Sequence, residues 1–315
     1  MVIKSYKLTF DSFLISEIHS DTIMGHICWA IKYIYGESFL EEFLEIYKSS
    51  KKENDYPFIF SSIFPYLHYP IVAQPLKFEI KSKNDYKYAK KVKKVKYLRN
   101  DLYSNCNVKL FLNNGLGEAI FNQIKDGEKF TSDHYTKETI HNMISRESSK
   151  TEKNSLFLRE KKIPIVKQFW FFVKVGDNEE KWLKVLDRCL KFLEVKGVGG
   201  DTSIGGGIVS ITEIDHKIDD DFNSENPNCY ISLSHCVSSK PMFYNLITKY
   251  GKVYSKLEKN DEPFKQPIFL MEPGAIIEKI EDYNFSESII TNIHSNEKVL
   301  HIAIPFLMPI TLKLN

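Results

Sequence analysis

Only four of the 43 basic residues are arginine (Arg99, Arg146, Arg159 and Arg188), so planar forks that read base edges bidentately are few. A polyanion would be met mainly by lysines acting as point charges. Cysteine is also scarce: Cys28, Cys106, Cys189, Cys229 and Cys236 are odd in number and contain no C-x-x-C pair, which excludes a disulfide framework or a zinc knuckle. Long apolar runs are missing. The strongest, FWFFV at 169–173 and IAIPFLMPI at 302–310, are too short or proline-broken to span a bilayer, and the first residues, MVIKSYKLTF, hold no apolar signal segment. The chain therefore reads as cytoplasmic, with no membrane partner. A net charge of one sign is absent too, because 43 cations against 41 anions leave +2; any patch for a polyanion must be local.

What is present suits a folded protein. The 315 residues are 43% hydrophobic and 13% aromatic, enough for two domains with a core each. Residues 2–10 read as a first strand. Ile23, Met24, Ile27, Cys28, Ile31, Ile34 and Tyr35 then recur at helical spacing behind Ser20, which is available as N-cap, and Gly36 ends that helix. A second helix follows, with Ser38 and Glu41 placed as a capping box. Four prolines in 57–75 predict short strands and turns. Residues 77–100 hold ten cations against two anions, and 101–160 is polar with turn signals, so 77–160 reads as a long, partly mobile insertion. QFWFFVKV (168–175) is a strand, 182–193 an amphipathic helix and 208–214 a strand. The acidic stretch 215–227 reads as a linker, and 228–315 as strand-rich. Strand, helix, strands, insertion, strand, helix, strand is the β-α-β-β-α-β order. The fold class expected is α+β: a ferredoxin-like (RRM-like) unit over 1–214 and a degraded second copy over 228–315.

The segment GVGGDTSIGGG (197–207) concentrates six of the fourteen glycines in eleven residues. It fits neither nucleotide fingerprint. The position three beyond Gly199 is Thr202, the segment follows a helix and precedes a strand, and no lysine follows Gly205. Two readings stay open: a phosphate cradle built from backbone amides and the Thr202 and Ser203 hydroxyls, or a tight helix-to-strand connection packed on its own sheet. The lysine run also has two readings. It is either a salt-sensitive, sequence-blind attraction for phosphates, with Lys93 and Lys94 as candidates, or a solvated face. His19, His26, His141 and His235 lack metal-ligand spacing and read as core or surface residues. No metal or cofactor is implied.

HSDTIMGHICWAIKYIYG (19–36), PFIFSSIFPYL (57–67), KKVKKVKYL (90–98), ISRESSKT (144–151) and above all GVGGDTSIGGG resemble the RAMP superfamily of CRISPR-associated proteins. Within it they are most similar to the family of the fourth Csm subunit of type III-A effector complexes. That resemblance implies two ferredoxin-like domains and no catalytic centre. The implied function is to hold the 5′ handle of the guide RNA, with the large polymerase-like subunit and the repeated backbone RAMP subunit as partners in antiviral defence. It places RNA at Gly197, Gly199, Gly200, Asp201, Thr202, Ser203, Gly205, Gly206 and Gly207, at the helix entry Ser20 and Asp21, and at Arg146. Family loops of this kind carry cations where this chain has Thr202 and Ile208, so contact here would lean on amides. The alternative is a metal-independent endoribonuclease that processes guide RNA. Such enzymes place the loop near the C-terminus, whereas 108 residues follow Gly207 here.

Overall fold

The computed structural model describes residues 1–73, 86–92, 94–104, five positions between 117 and 124, 134–145, 147–151, 154–222, 224, 226–253 and 263–312. In chain order, β1 (Val2–Phe10) leads to helix α1 (Ser20–Tyr35), α2 (Glu37–Ser49) and the short strands β2 (Phe58–Phe60), β3 (Phe64–Pro65) and β4 (His68–Pro70). Next come α3 (Tyr86–Val92), β5 (Tyr97–Arg99), α4 (Asn100–Ser104), β6 (His134–His141), β7 (Phe157–Pro164) and β8 (Gln168–Val175). The long helix α5 (Glu179–Lys196), β9 (Val209–Ile214) and the single turn α6 (Ile218–Asp221) complete the first two thirds. Its main sheet has the order β2-β8-β1-β9, with β3 also on β8 and every pair antiparallel. Strand, helix, strand, strand, helix, strand is thus realised in β1, α1, β2, β8, α5 and β9.

The apolar run at 169–173 of β8 follows from its being covered on both faces, since alternate side chains point to opposite sides. Phe169 and Phe171 meet Phe10, Tyr6 and Phe60 on one face. Trp170 and Phe172 meet Tyr69, His216 and Phe306 on the other. Lys174 follows the run on that second face. Its buried ammonium donates to Glu53 Oε1 at 2.6 Å and to the Leu307 carbonyl at 2.7 Å, so the charge is paired and hydrogen-bonded.

The last third holds β10 (Cys229–Ser232), β11 (Pro241–Phe243), β12 (Leu246–Lys249), β13 (Ile268–Met271), β14 (Ile276–Glu278), β15 (Ile289–Ile290), β16 (His301–Ile302) and β17 (Leu307–Ile310). Four of them form the sheet β11-β14-β10-β17, and β12-β13 and β15-β16 are two-stranded ribbons. One apolar core runs from Tyr6 and Trp170 through to Ile276, Phe306 and Ile310.

Several expectations change. Among the described residues, 228–315 has no α-helix, only the single-turn 3-10 helix Phe285–Ser288; prolines and β-branched residues dominate where a second copy would need two helices. Where it is described, the insertion expected over 77–160 is anchored to the main core, in which Val92, Leu98, Tyr103, Ile120, Phe121 and Ile124 are buried. The stretch 215–227 is tied down at Ile218 and Phe222, both buried, and at Asp221, which accepts from Tyr69 Oη at 2.6 Å and lies 2.9 Å from His216 Nε2. Ser38 lies inside the first turn of α2, whose N-cap is Gly36 at φ 94°.

Candidate nucleic-acid interface

The glycine segment begins where α5 ends. The Gly197 amide closes the last turn on the Leu193 carbonyl at 2.7 Å, and φ of +81° turns the chain out of the helix. Most of the loop's amides are then taken by the protein itself. Val198 N–H donates to Gly207 O (2.9 Å), Ile204 and Gly206 both donate to Asp201 O (3.1 and 3.0 Å), Gly205 to Thr202 O (3.3 Å) and Gly207 to Phe13 O (2.9 Å). Gly199 N–H donates to His26 Nε2 at 2.7 Å, and Ile208 N–H to Ser12 Oγ at 2.8 Å. Among the described residues this leaves the amides of Gly200, Asp201, Thr202 and Ser203 for a ligand. Of the amides expected to form a cradle over 197–207, only those of the apex are left, because a folded loop must satisfy its own donors first.

The glycines separate by the same test. A Cβ on Gly207 would lie 1.7 Å from the Val198 carbonyl oxygen, and one on Gly206 within 3.0–3.2 Å of Gly200 O, Asp201 O and Phe13. Their smallness serves the packing of the loop, and the close approach of Gly207 is to Val198. Gly205 is different. It holds φ at +84° with nothing within 4 Å of a would-be Cβ, so its outer side is open.

Ser20 and Asp21 do not face solvent. Ser20 is buried and bonds the backbone of His235, while the Asp21 carboxylate pairs with Lys249 and lies 3.5 Å from His301 Nε2. Both fasten the start of α1 to the last third of the chain. Against the opposing effect of its burial, the Lys249 ammonium holds Asp21 below the usual carboxylate range. His19 stacks on His235 with centroids 3.7 Å apart, and His235 Nδ1 lies 2.8 Å from Ser62 Oγ. Burial pushes His235 well below the ordinary imidazole value, and takes His26 and His301 down to about 4. These are neutral core histidines.

Cations that no motif in the sequence marks come from β7. Its segment Arg-Glu-Lys-Lys (159–162) lies beside the glycine loop and residues 11–19. Arg159 Nη2 donates to Asp201 Oδ1 at 2.5 Å, Lys161 Nζ sits 4.3 Å over the Phe13 ring, and Lys162 Nζ bonds Glu17 Oε1 at 2.7 Å. The signal is a cationic run, hidden because the hairpin's apolar residues, Tyr135, Ile140, Phe157 and Leu158 among them, are exposed and mark no buried face. Lys94 lines a neighbouring cleft of about 490 Å³ with Lys96, Tyr97, His134 and Lys162. Lys93 and Arg146 lie outside the described residues. No cluster of histidine, cysteine, aspartate or glutamate among the described residues is arranged to hold a metal, and no described helix is long and apolar enough to cross a membrane.

An antiparallel sheet flanked by α1 and α5, with a glycine-rich loop between α5 and β9 and a basic hairpin beside it, defines a mixed α/β protein that presents amides and cations together. The chain belongs to the RAMP superfamily, whose family model matches residues 4–210. It shares its fold with a chain of the Csm1–Csm4 cassette crystallised with pppApA, at 18% identity over 99% of each chain and a TM-score of 0.60. A chain of the Csm3–Csm4 subcomplex of the type III-A CRISPR-Cas interference complex matches at 18% identity over 98% of this chain and 99% of that one, with a TM-score of 0.60. A chain of the type III-B Cmr-beta complex bound to cognate target RNA and AMPPnP is more distant, with 11% identity, 87% and 86% coverage and a TM-score of 0.51. No curated protein sequence matches.

Proposed function

We propose that this chain is a non-catalytic, RNA-binding subunit of a type III-A CRISPR interference complex. It holds the 5′ handle of the guide RNA and bridges the large polymerase-like subunit to the repeated backbone subunit. The observation that carries this reading is the fold shared over essentially its whole length with chains of two assemblies, Csm1–Csm4 and Csm3–Csm4, that have Csm4 in common. The local chemistry supports it. The open amides of 200–203 and the cations of β7 are suited to a phosphate backbone, and neither reads base identity.

A scaffold role is supported over RNA cleavage by the state of two of the candidate histidines. A general base for a ribose 2′-hydroxyl must reach it within hydrogen-bond distance, whereas His26 and His235 are already engaged inside the fold. The test is co-expression of the chain with a large polymerase-like subunit, a backbone RAMP subunit and a guide RNA, followed by purification on either partner. Recovery of all components with the handle protected from nuclease is expected. Incubation of the purified chain with repeat RNA in EDTA should leave that RNA intact. A single discrete cut there would transfer the assignment to a processing endoribonuclease.

A further inference from the structure

Asp201 stands in the glycine loop among the residues expected to meet RNA, yet a carboxylate repels phosphate. Its surroundings give it another task. Asp201 adopts the left-handed conformation at φ 60°, and its carbonyl accepts from both Ile204 and Gly206. Its Oδ1 takes the Arg159 guanidinium at 2.5 Å; its Oδ2 is buried without a hydrogen-bond partner among the described residues. The carboxylate is thus held rigidly by its own loop and aimed at the hairpin.

The hairpin needs such a hold. β6 and β7 pair with each other over eight residues, and a lone two-stranded ribbon is marginally stable in water. Its described attachments to the body begin at the root, where Leu14 and Lys162 exchange backbone hydrogen bonds of 2.8 and 2.6 Å. Lys161 on Phe13 follows, and Arg159 on Asp201 is the attachment further along β7. Residues directly opposite in a ladder share a face, so the register Lys137↔Lys161 and Thr139↔Arg159 puts Lys137, Lys161 and Arg159 on one side. The next rung, Glu138↔Glu160, belongs to the other side. A hairpin rotated about its axis would present carboxylates where it now presents lysines.

We infer that Asp201 is a positioning residue. Through Arg159 it fixes the rotation of the hairpin, so that the lysine rung and the amides of 200–203 flank a single track for a phosphate backbone. The RNA part of this inference rests on the function proposed above; the geometric part does not.

The test places nitroxide labels at Met143→Cys, on the exposed end of the hairpin, and Val195→Cys, exposed on α5, in the full chain. It compares wild type, Asp201→Asn, Asp201→Arg and the reversed pair Asp201→Arg with Arg159→Asp. A narrow distance distribution is expected for wild type, a broad one for the single variants, and a narrow one again for the reversed pair. Guide RNA retention in the reconstituted complex should fall at least five-fold in the singles and recover in the pair. Unchanged distances in Asp201→Arg would overturn the positioning role. Restored distances without restored retention would mean that Arg159 or Asp201 meets RNA directly, which also overturns it. If wild-type complex retains no guide RNA, the proposed function fails while the distance measurement still decides the clamp.

Discussion

Ser20 and His235 exchange two hydrogen bonds across 215 residues of chain: the His235 N–H donates to Ser20 Oγ at 3.0 Å, and the Ser20 hydroxyl donates to the His235 carbonyl at 3.3 Å. The first residue of α1 is in this way locked to the segment after β10, beside the ion pair of Asp21 with Lys249. Ser20→Ala would leave a buried N–H and carbonyl without that partner, at a cost of about 1–3 kcal/mol. Urea unfolding should show the loss as a lowered midpoint. An unchanged midpoint would mean that the seam is satisfied by other groups.

Acid should loosen the same region. His26, His235 and His301 are neutral in the fold because burial depresses them, His26 and His301 to about 4. Between that value and the ordinary imidazole value near 6.5 the unfolded chain binds more protons, so stability rises with pH across this window and is lost on acidification through it. Each of His26 and His301 contributes roughly 3 kcal/mol between pH 7 and pH 4. His26 Nε2 also accepts the Gly199 amide, so protonating it breaks a hold on the glycine loop. Thermal melts from pH 7 to pH 4 should fall steeply, and His26→Gln should flatten part of that slope. A melt that does not move between pH 6 and pH 4.5 would contradict this linkage.

The strands and helices legible in the sequence are those whose side chains repeat. β1, α1, β8, α5 and β9 fall within a few residues of their expected places, because alternation and the 3.6-residue period are strong there. The hairpin is not legible because its central rungs pair lysine with lysine and glutamate with glutamate, and its apolar residues, Ile140, Phe157 and Leu158, are exposed and not alternated on one buried face. The seam around Asp21, His235, Lys249 and His301 is invisible for a different reason. Its members are scattered over about 280 residues, and only the packing of the last third against α1 joins them. In the glycine loop the residue types signal positive φ, but not which glycines serve the loop and which lie open; that depends on Phe13, Ser12 and His26, which approach from elsewhere in the chain.

Two glycines of the loop should respond oppositely. Gly207→Ala drives a methyl into the Val198 carbonyl at 1.7 Å, and should cost on the order of 3 kcal/mol or more by forcing the loop apart. Gly205→Ala meets open space and pays only for its left-handed backbone, about 1–2 kcal/mol. Gly205→Val, bulkier but equally unobstructed inside the protein, should fold and yet retain less guide RNA. Paired thermal melts and RNA pull-downs separate these cases. Full RNA retention by a folded Gly205→Val protein would remove the loop apex from the interface.

The Lys137–Lys161 rung makes a prediction in which stability and binding move in opposite directions. Like charges directly opposite in an antiparallel pair destabilise it by roughly 0.2–1 kcal/mol, and a polyanion laid along that face would relieve the repulsion. Lys137→Glu turns the rung into an attractive pair, so the free chain should melt slightly higher. The same change removes a cation from the proposed track, and binding of single-stranded RNA should weaken. The salt dependence should also become shallower, by about 0.7 in the log–log slope for each phosphate that is no longer neutralised. A variant with a raised midpoint and an unaltered slope would show that this face of the hairpin does not meet RNA, and would point to the other cations, Lys94 and Lys96 in the neighbouring cleft, as the source of any attraction.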